Sequence, residues 1–224
     1  MSGASGDAPL TIDVVSDVVC PWCFIGKRKL EAALADAPEG PVDIRWRPFQ
    51  LDPTIPKGGI PRKDYLVKKF GAARLGEINT RLKEAGREVG IEFALERILI
   101  SPNTLDAHRL LRWAQTTGRQ GAVKEALLSA YFLEGRDIGS RAVLLEIAAA
   151  GGLDDKLIAR LLDTGADAQA VSEEVATAVR LGVSGVPFFI FAGKFAVPGA
   201  QDPDVLAAAM AKARAETSQP TGLA

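Results

Sequence analysis

The sequence predicts an α/β chain in which a β-α-β unit and a closing β-β-α unit are separated by a long helical insertion. Three observations predict it. An apolar, β-branched run over residues 11–19 passes at once into a helical pattern that opens at Pro21. Residues 62–181 carry helical periodicity almost throughout. Residues 187–191, Pro-Phe-Phe-Ile-Phe, then return to strand character.

The elements follow in order. Ile12, Val14, Val15, Val18 and Val19 read as a buried strand. Pro21 suits the first helical position, where its missing N–H would be unpaired anyway. Phe24, Ile25, Leu30 and Leu34 continue at helical spacing, and Pro38 to Pro41 ends the element. Val42, Ile44 and Trp46 alternate with Asp43, Arg45 and Arg47, the pattern of a half-buried second strand. Four prolines and Gly58-Gly59 make residues 48–62 a loop. Residues 62–89 read as one long or two shorter helices, and 91–100 as extended. Asn103 caps the next helix, with Asp106 in its first turn. Further helices cover 121–133, 140–150, 154–162 and 167–181; Gly193 marks a hairpin to 195–197, and 202–216 is the last helix. The core is therefore 11–61 with 182–217, the insertion 62–181, and the flexible tails 1–10 and 218–224. An insertion of this kind adds little closure entropy to a surface loop.

Composition narrows the function. The chain has 224 residues, 47% hydrophobic and 25% charged, with net charge −1, so it lacks the basic footprint of a nucleic-acid binder. Lys27-Arg28-Lys29 and Lys68-Lys69 read as solvated helix faces. The first ten residues lack a basic start followed by an apolar stretch, which points to the cytoplasm. No apolar run reaches the ~18 residues of a membrane span. Monomer and homodimer both remain open.

The two cysteines stand as Cys20-Pro21-Trp22-Cys23. A structural disulfide gains most from closing a long loop, and this pair closes almost none. A zinc site normally wants four ligands, and the chain offers one histidine and no third cysteine, so no metal is expected. A reversible redox pair remains. At the helix N-cap Cys20 is exposed, and unpaired N–H groups with the helix dipole favour its thiolate, so it is the attacking sulfur. Cys23, one turn further in, is shielded and resolves the mixed disulfide.

Other residues carry two readings each. His108, the single histidine, is either packed and hydrogen-bonded within the insertion or part of a segment, Asn103 to Arg109, that borders the cysteines. Asp17 either accepts a proton from Cys23 or is a solvated strand end. Trp22 is a substrate platform or packs against the insertion. Lys27 and Arg28 add positive potential near Cys20 or lie on a solvated face. Phe188, Phe189 and Phe191 are core strand residues.

Four ordered segments carry a resemblance: Ser16 to Cys23 (Ser-Asp-Val-Val-Cys-Pro-Trp-Cys), Asn103 to Leu110, Glu134 to Ile138, and Gly185 to Phe189. The chain resembles the DsbA-like thioredoxin-fold oxidoreductases, in their FrnE-type cytoplasmic branch. The resemblance implies a thioredoxin-like fold with a helical insertion over the active site, and activity as a dithiol oxidase, reductase or disulfide isomerase. It implies a cis Val186–Pro187 bond facing the cysteines, so that Cys20, Cys23 and Pro187 form the catalytic set. Val186 would offer its backbone to an extended substrate, with Pro21, Trp22, Asn103 and His108 around it. The partners are protein or small-molecule thiols and disulfides. No cofactor is needed beyond the redox disulfide, with glutathione or another small thiol as a co-substrate. The Pro-Trp dipeptide lacks the histidine of periplasmic relatives, which implies a potential of about −200 to −230 mV rather than about −120 mV. Two other readings stand beside it. One is a glutathione-dependent enzyme similar to kappa-class transferases and 2-hydroxychromene-2-carboxylate isomerases, which place a serine where Cys20 stands. The other is a peptide-binding holdase.

Overall fold

A computed structural model describes residues 8–36 and 40–217. The tails expected at 1–7 and 218–224, and the helix stop at Pro38, lie outside the described residues. Fifteen labelled elements run in order: β1 (Leu10–Ser16), α1 (Pro21–Ala35), β2 (Val42–Pro48), β3 (Ile60–Pro61), α2 (Arg62–Phe70), α3 (Ala72–Arg87), β4 (Ile100–Ser101), α4 (Leu105–Thr116), α5 (Gln120–Phe132), α6 (Arg141–Ala150), α7 (Asp155–Asp163), α8 (Ala168–Arg180), β5 (Phe188–Phe191), β6 (Phe195–Pro198) and α9 (Pro203–Thr217).

The main sheet has strand order β2-β1-β5-β6. β1 runs parallel to β2, with Val14 opposite Trp46, and antiparallel to β5, with Val14 opposite Phe189. β5 and β6 form the closing hairpin. Because β1 is central, both of its faces are covered: Ile12 and Val14 join Leu30, Phe189, Leu206 and Met210, while Val15 packs with Phe49, Ala178 and Val183. Leu10, Ile12 and Val14 accordingly alternate with the less buried Thr11 and Asp13, and only at Val14 and Val15 do apolar side chains fill both faces in succession. β2 is an edge strand, and the insertion closes it. The Trp46 N–H donates to Gln120 Oε1 at 2.9 Å, and Gln120 Nε2 donates back to the Trp46 carbonyl at 3.0 Å.

α1 belongs to two cores. Leu30 and Ala33 pack into the sheet core with α9, whereas Phe24 and Ile25 enter the core of the insertion. There Phe24 and Phe93 meet edge to face at 6.1 Å between centroids, and Phe93 meets Phe132 at 5.4 Å. Among the described residues no helix is long and apolar enough to cross a membrane.

Several expectations are corrected. Leu10 is not part of a flexible tail; it pairs with Val42 and is buried. Of the two readings of residues 62–89 the two-helix one holds, because Gly71 adopts φ +82° between them, a backbone that side chains disfavour. The extended stretch 91–100 contains a single 3-10 turn at Leu95–Arg97, and β4 pairs with β3 inside the expected loop. Two residues are too short to show alternation. Thr104, not Asn103, holds the N-cap of α4, although Asn103 Oδ1 still accepts the Leu105 N–H at 2.9 Å. Lys27-Arg28-Lys29 is not a solvated face. Lys27 is buried and pairs with Glu31 and, at 2.6 Å, with Glu125; Arg28 pairs with both same carboxylates; Lys29 reaches Asp202 at 2.7 Å.

Glu125 lies on α5, so this cluster ties the insertion to α1. Burial raises the Glu125 carboxyl, but the Arg28 and Lys27 hydrogen bonds outweigh it and bring it from 4.5 to about 2. Its ionised form therefore stabilises the fold above about pH 4.5, and the contribution drains away as pH falls toward 2. With one third of the side chain open to solvent, the screened worth is roughly 1–2 kcal/mol. Glu125→Gln should lower the unfolding free energy at pH 7 by that amount and leave a flatter stability profile between pH 5 and 2; an unchanged acid limb would show the cluster to be inert.

Candidate active site

β1 delivers the chain to Ser16, a turn spans residues 17–19, and Cys20 takes the N-cap of α1 with φ −92° and ψ 113°. The Cys23 N–H donates to the Cys20 carbonyl at 3.0 Å. No side chain caps this helix and no acidic residue occupies its first turn, so the positive end of its dipole meets Cys20 with no carboxylate of that turn to offset it. Both cysteines are free thiols. Cys23 is 1% exposed, and Cys20 only 4%, so Cys20 is not the open surface group that was expected. It is reached through a cleft.

Across from Cys20, the Val186–Pro187 bond is cis. The Cys20 thiol lies 3.5 Å from the Val186 carbonyl, to which it donates. Pro187 rests directly on α1 at Gly26, where a Cβ would fall 2.8 Å from the proline Cγ and 3.3 Å from the Phe189 ring. Gly26 thus lets the Val186–Pro187 loop approach the cysteine helix. Sequence reasoning passed over it, although a glycine inside a helical pattern costs about 1 kcal/mol and invites a packing reason.

Asp17 is not a solvated strand end. It is buried; Oδ1 accepts the Val18 N–H at 2.8 Å and faces His108 Nε2 at 3.1 Å, and Oδ2 accepts the Leu51 N–H at 2.8 Å. His108 thus takes the packed reading rather than a place among the substrate-facing residues, and its hydrogen bond leaves the insertion for the core. Neither His108 nor Asn103 lines the cleft; Asn103 donates through Nδ2 to the Ile55 carbonyl at 2.6 Å. Both border the cleft only through neighbours, Asp17 and Thr104, which line it.

The residue most clearly missed is Lys124. It is fully buried, its Nζ donates to Ser16 Oγ at 2.8 Å, and it stands 5.3 Å over the Trp46 ring. Burial pushes its amine down, while Cys23, Asp17 and Cys20 pull it back up. In return, burial pushes the Cys23 thiol well above its ordinary value, the adjacent Cys20 adds to that, and the Lys124 charge opposes it. A signal existed: Lys124 shares helical spacing with Leu127, Leu128 and Tyr131, all buried.

The cleft, of about 490 Å³, lies between the core and the α2–α3 pair. Trp22, Leu51, Phe70, Ile78 and Phe132 make its walls apolar, and Arg62, Lys69, Arg74 and Arg81 outnumber Asp17 and Asp52 around it. Pro21 and Val186 also line it. Trp22 is 37% exposed, which fits a platform rather than packing against the insertion. Arg74 and Arg81 form no ion pair among the described residues. α2 contributes no buried side chain, so this wall is lightly held.

This arrangement of strand, cysteine turn, helix and cis-proline strand has known counterparts. A family model described as the DSBA-like thioredoxin domain matches residues 11–211. The chain belongs to that family. The DSBA-like chain is similar to the crystal structure of a probable DsbA oxidoreductase, SCO1869, from Streptomyces coelicolor. The TM-score is 0.84 at 32% identity, covering 96% of this chain and 94% of that one. Two further similarities are of fold alone. One is to a 2-hydroxychromene-2-carboxylate isomerase, with TM-score 0.69 and 16% identity, covering 93% and 100% of the two chains. The other is to the cytosolic disulfide reductase DsbM from Pseudomonas aeruginosa with GSH, with TM-score 0.60 and 21% identity, covering 91% and 98%. The expected thioredoxin-like fold with a helical insertion is thus the DSBA-like fold of this chain.

The burial of Cys23 makes a directional prediction. Iodoacetamide at neutral pH should alkylate Cys20 through the cleft and leave Cys23 unmodified until the protein is denatured. Peptide mapping that found Cys23 labelled first would reverse the two roles.

Proposed function

We propose that this DSBA-like domain is a thiol–disulfide oxidoreductase in which Cys20 attacks and Cys23 resolves. The observation that carries the reading is the placement of the two sulfurs. Cys20 stands at an uncapped helix start on the cleft, and Cys23 lies one turn deeper with a thiol whose proton is held by burial. The Cys20 thiolate attacks one sulfur of a substrate disulfide, the S–S bond breaks, and one half leaves as a thiolate. Cys23 then loses its proton and attacks Cys20 Sγ, expelling the second half and closing the Cys20–Cys23 disulfide. External thiols reverse the sequence, and the direction follows the potentials of the partners. Once Cys20 is bonded to substrate, the Val186 carbonyl loses its present donor and is free to accept a hydrogen bond from an extended substrate backbone. Pro187 packs the loop against Gly26 so that this edge stays beside Cys20. Asp17 is the carboxylate on the cleft side of the pair and serves as a proton acceptor for resolution.

The cleft supports a substrate class as well. Apolar walls with an excess of guanidinium and ammonium groups suit thiols and disulfides that carry carboxylates, glutathione among them. A glutathione-dependent isomerase would use the same basic cleft but would have no task for Cys23, and a holdase would have none for either sulfur.

The test is steady-state turnover of two small disulfides, one bis-carboxylate and one bis-amine, in the native protein and two variants. Cys20→Ser should lose at least a thousandfold in rate with both. Cys23→Ser should accumulate a mixed disulfide at Cys20. The native protein should prefer the bis-carboxylate by about tenfold, a preference that weakens with salt. Retained turnover in Cys20→Ser would refute the oxidoreductase reading, and equal rates on the two disulfides would refute the charge selection.

A further inference from the structure

Lys124 is the buried charge that the exchange steps above leave unused. It projects from α5 into the junction of β1, α1 and β2, shielded from solvent, with the Ser16 hydroxyl as its hydrogen-bond partner. Among the described residues it forms no ion pair. The charged and titratable groups around it come from each packed element. From the end of β1 comes Asp17, already engaged by the Val18 and Leu51 N–H groups and by His108 of α4. From α1 come Cys20, Cys23 and Lys27, the last paired with Glu31 and with Glu125 of α5. β2 presents only the Trp46 ring, which cannot accept a proton.

An ammonium buried without a carboxylate contact is disfavoured by loss of hydration. What supports the charge here includes negative charge on the two sulfurs. The support is mutual: the lysine charge eases ionisation of Cys23, and both cysteines favour protonation of the lysine. Formation of the Cys20–Cys23 disulfide removes the sulfur charge and with it that part of the support.

We infer that Lys124 is a positioning residue for the redox pair: its amine takes up a proton when the Cys20–Cys23 disulfide is reduced and releases it when the disulfide forms, so that the helical insertion sets the redox poise of the core. The inference rests on the proposed roles of Cys20 and Cys23. In reduction, two external thiols become one disulfide and give up two electrons and two protons. The electrons break the Cys20–Cys23 bond. One proton goes to Cys23 Sγ and the other to Lys124 Nζ, leaving Cys20 as a thiolate that the lysine charge offsets. Oxidation runs the same steps backward, and the proton leaves Lys124 as the sulfur charge disappears.

The experiment equilibrates the full-length protein with glutathione buffers at several pH values, with Lys124→Met and Lys124→Gln beside it. Met fills the same apolar space without charge, and Gln keeps a donor for Ser16; circular dichroism and melting confirm that each variant folds. Both variants should lose at least tenfold in the equilibrium constant for reduction, which is about 30 mV toward more reducing values for this two-electron couple. A folded variant with the native equilibrium constant at every pH overturns the inference. Should neither variant fold, the native protein decides. Its proton uptake on reduction must exceed the protons found on the two sulfurs by thiolate absorbance, and an equal count overturns the inference. A native protein that forms no Cys20–Cys23 disulfide in any buffer contradicts the proposed function instead.

Discussion

The structure depends on one helix being buried from two sides. α1 gives Leu30 and Ala33 to the sheet core and Phe24 and Ile25 to the core of the insertion, and its N-terminus is where the two cores meet. Full burial of side chains of this size is worth about 1.5–3 kcal/mol each, so each core holds the helix by several such groups. The position of the cysteines is a consequence. Cys20 and Cys23 occupy the first turn of a helix that neither domain half can release, and the insertion roofs the turn with a cleft instead of leaving it on the surface. Gly26 completes the arrangement from the other side, because only a residue without Cβ admits Pro187 so near the helix.

Around that helix the charges are divided between two environments. The face away from the cleft carries conventional pairs, with Lys27 and Arg28 shared by Glu31 and Glu125, and they fasten α5 to α1. Near the cysteine turn the groups are buried and lack a full opposite charge beside them: Asp17 accepts from the Val18 and Leu51 N–H groups and faces His108, and Lys124 has the Ser16 hydroxyl and the Trp46 ring. Buried groups of this kind are poor stabilisers, because lost hydration offsets much of what their pairing gains. The cleft adds a third feature, an excess of basic side chains over apolar walls, with Cys20 in its lining. An exchange site of this build draws its chemistry from the core and its environment from the insertion.

What was legible in the sequence was local. The passage from an apolar strand through Cys20 to a proline-led helix needs only neighbouring residues, and so does the helical periodicity of α5 to α8, whose ends fell within about one residue. The Val186–Pro187 loop opposite the cysteines followed from a family resemblance. The remainder depends on contacts between distant segments. Nothing beside Gln120 says that its amide will seal the edge of β2, and nothing beside His108 points to Asp17. The basic run 27–29 read as solvated because its carboxylate partners include residues on α5 and at the start of α9. Lys124 is the intermediate case: its spacing on an apolar stripe was visible, but a lysine can usually turn its head to solvent, and only the packing of β1, α1 and β2 around it removes that option.

The central claim is that Cys20 and Cys23 form one reversible two-electron couple. The most direct measurement is to equilibrate the native protein across glutathione redox ratios, quench with acid, and weigh the intact chain. The account predicts a single transition in which both thiols disappear together and the mass falls by two hydrogens. Independent titration of the two sulfurs, or glutathione adducts on Cys20 with no intramolecular disulfide at any ratio, would contradict it.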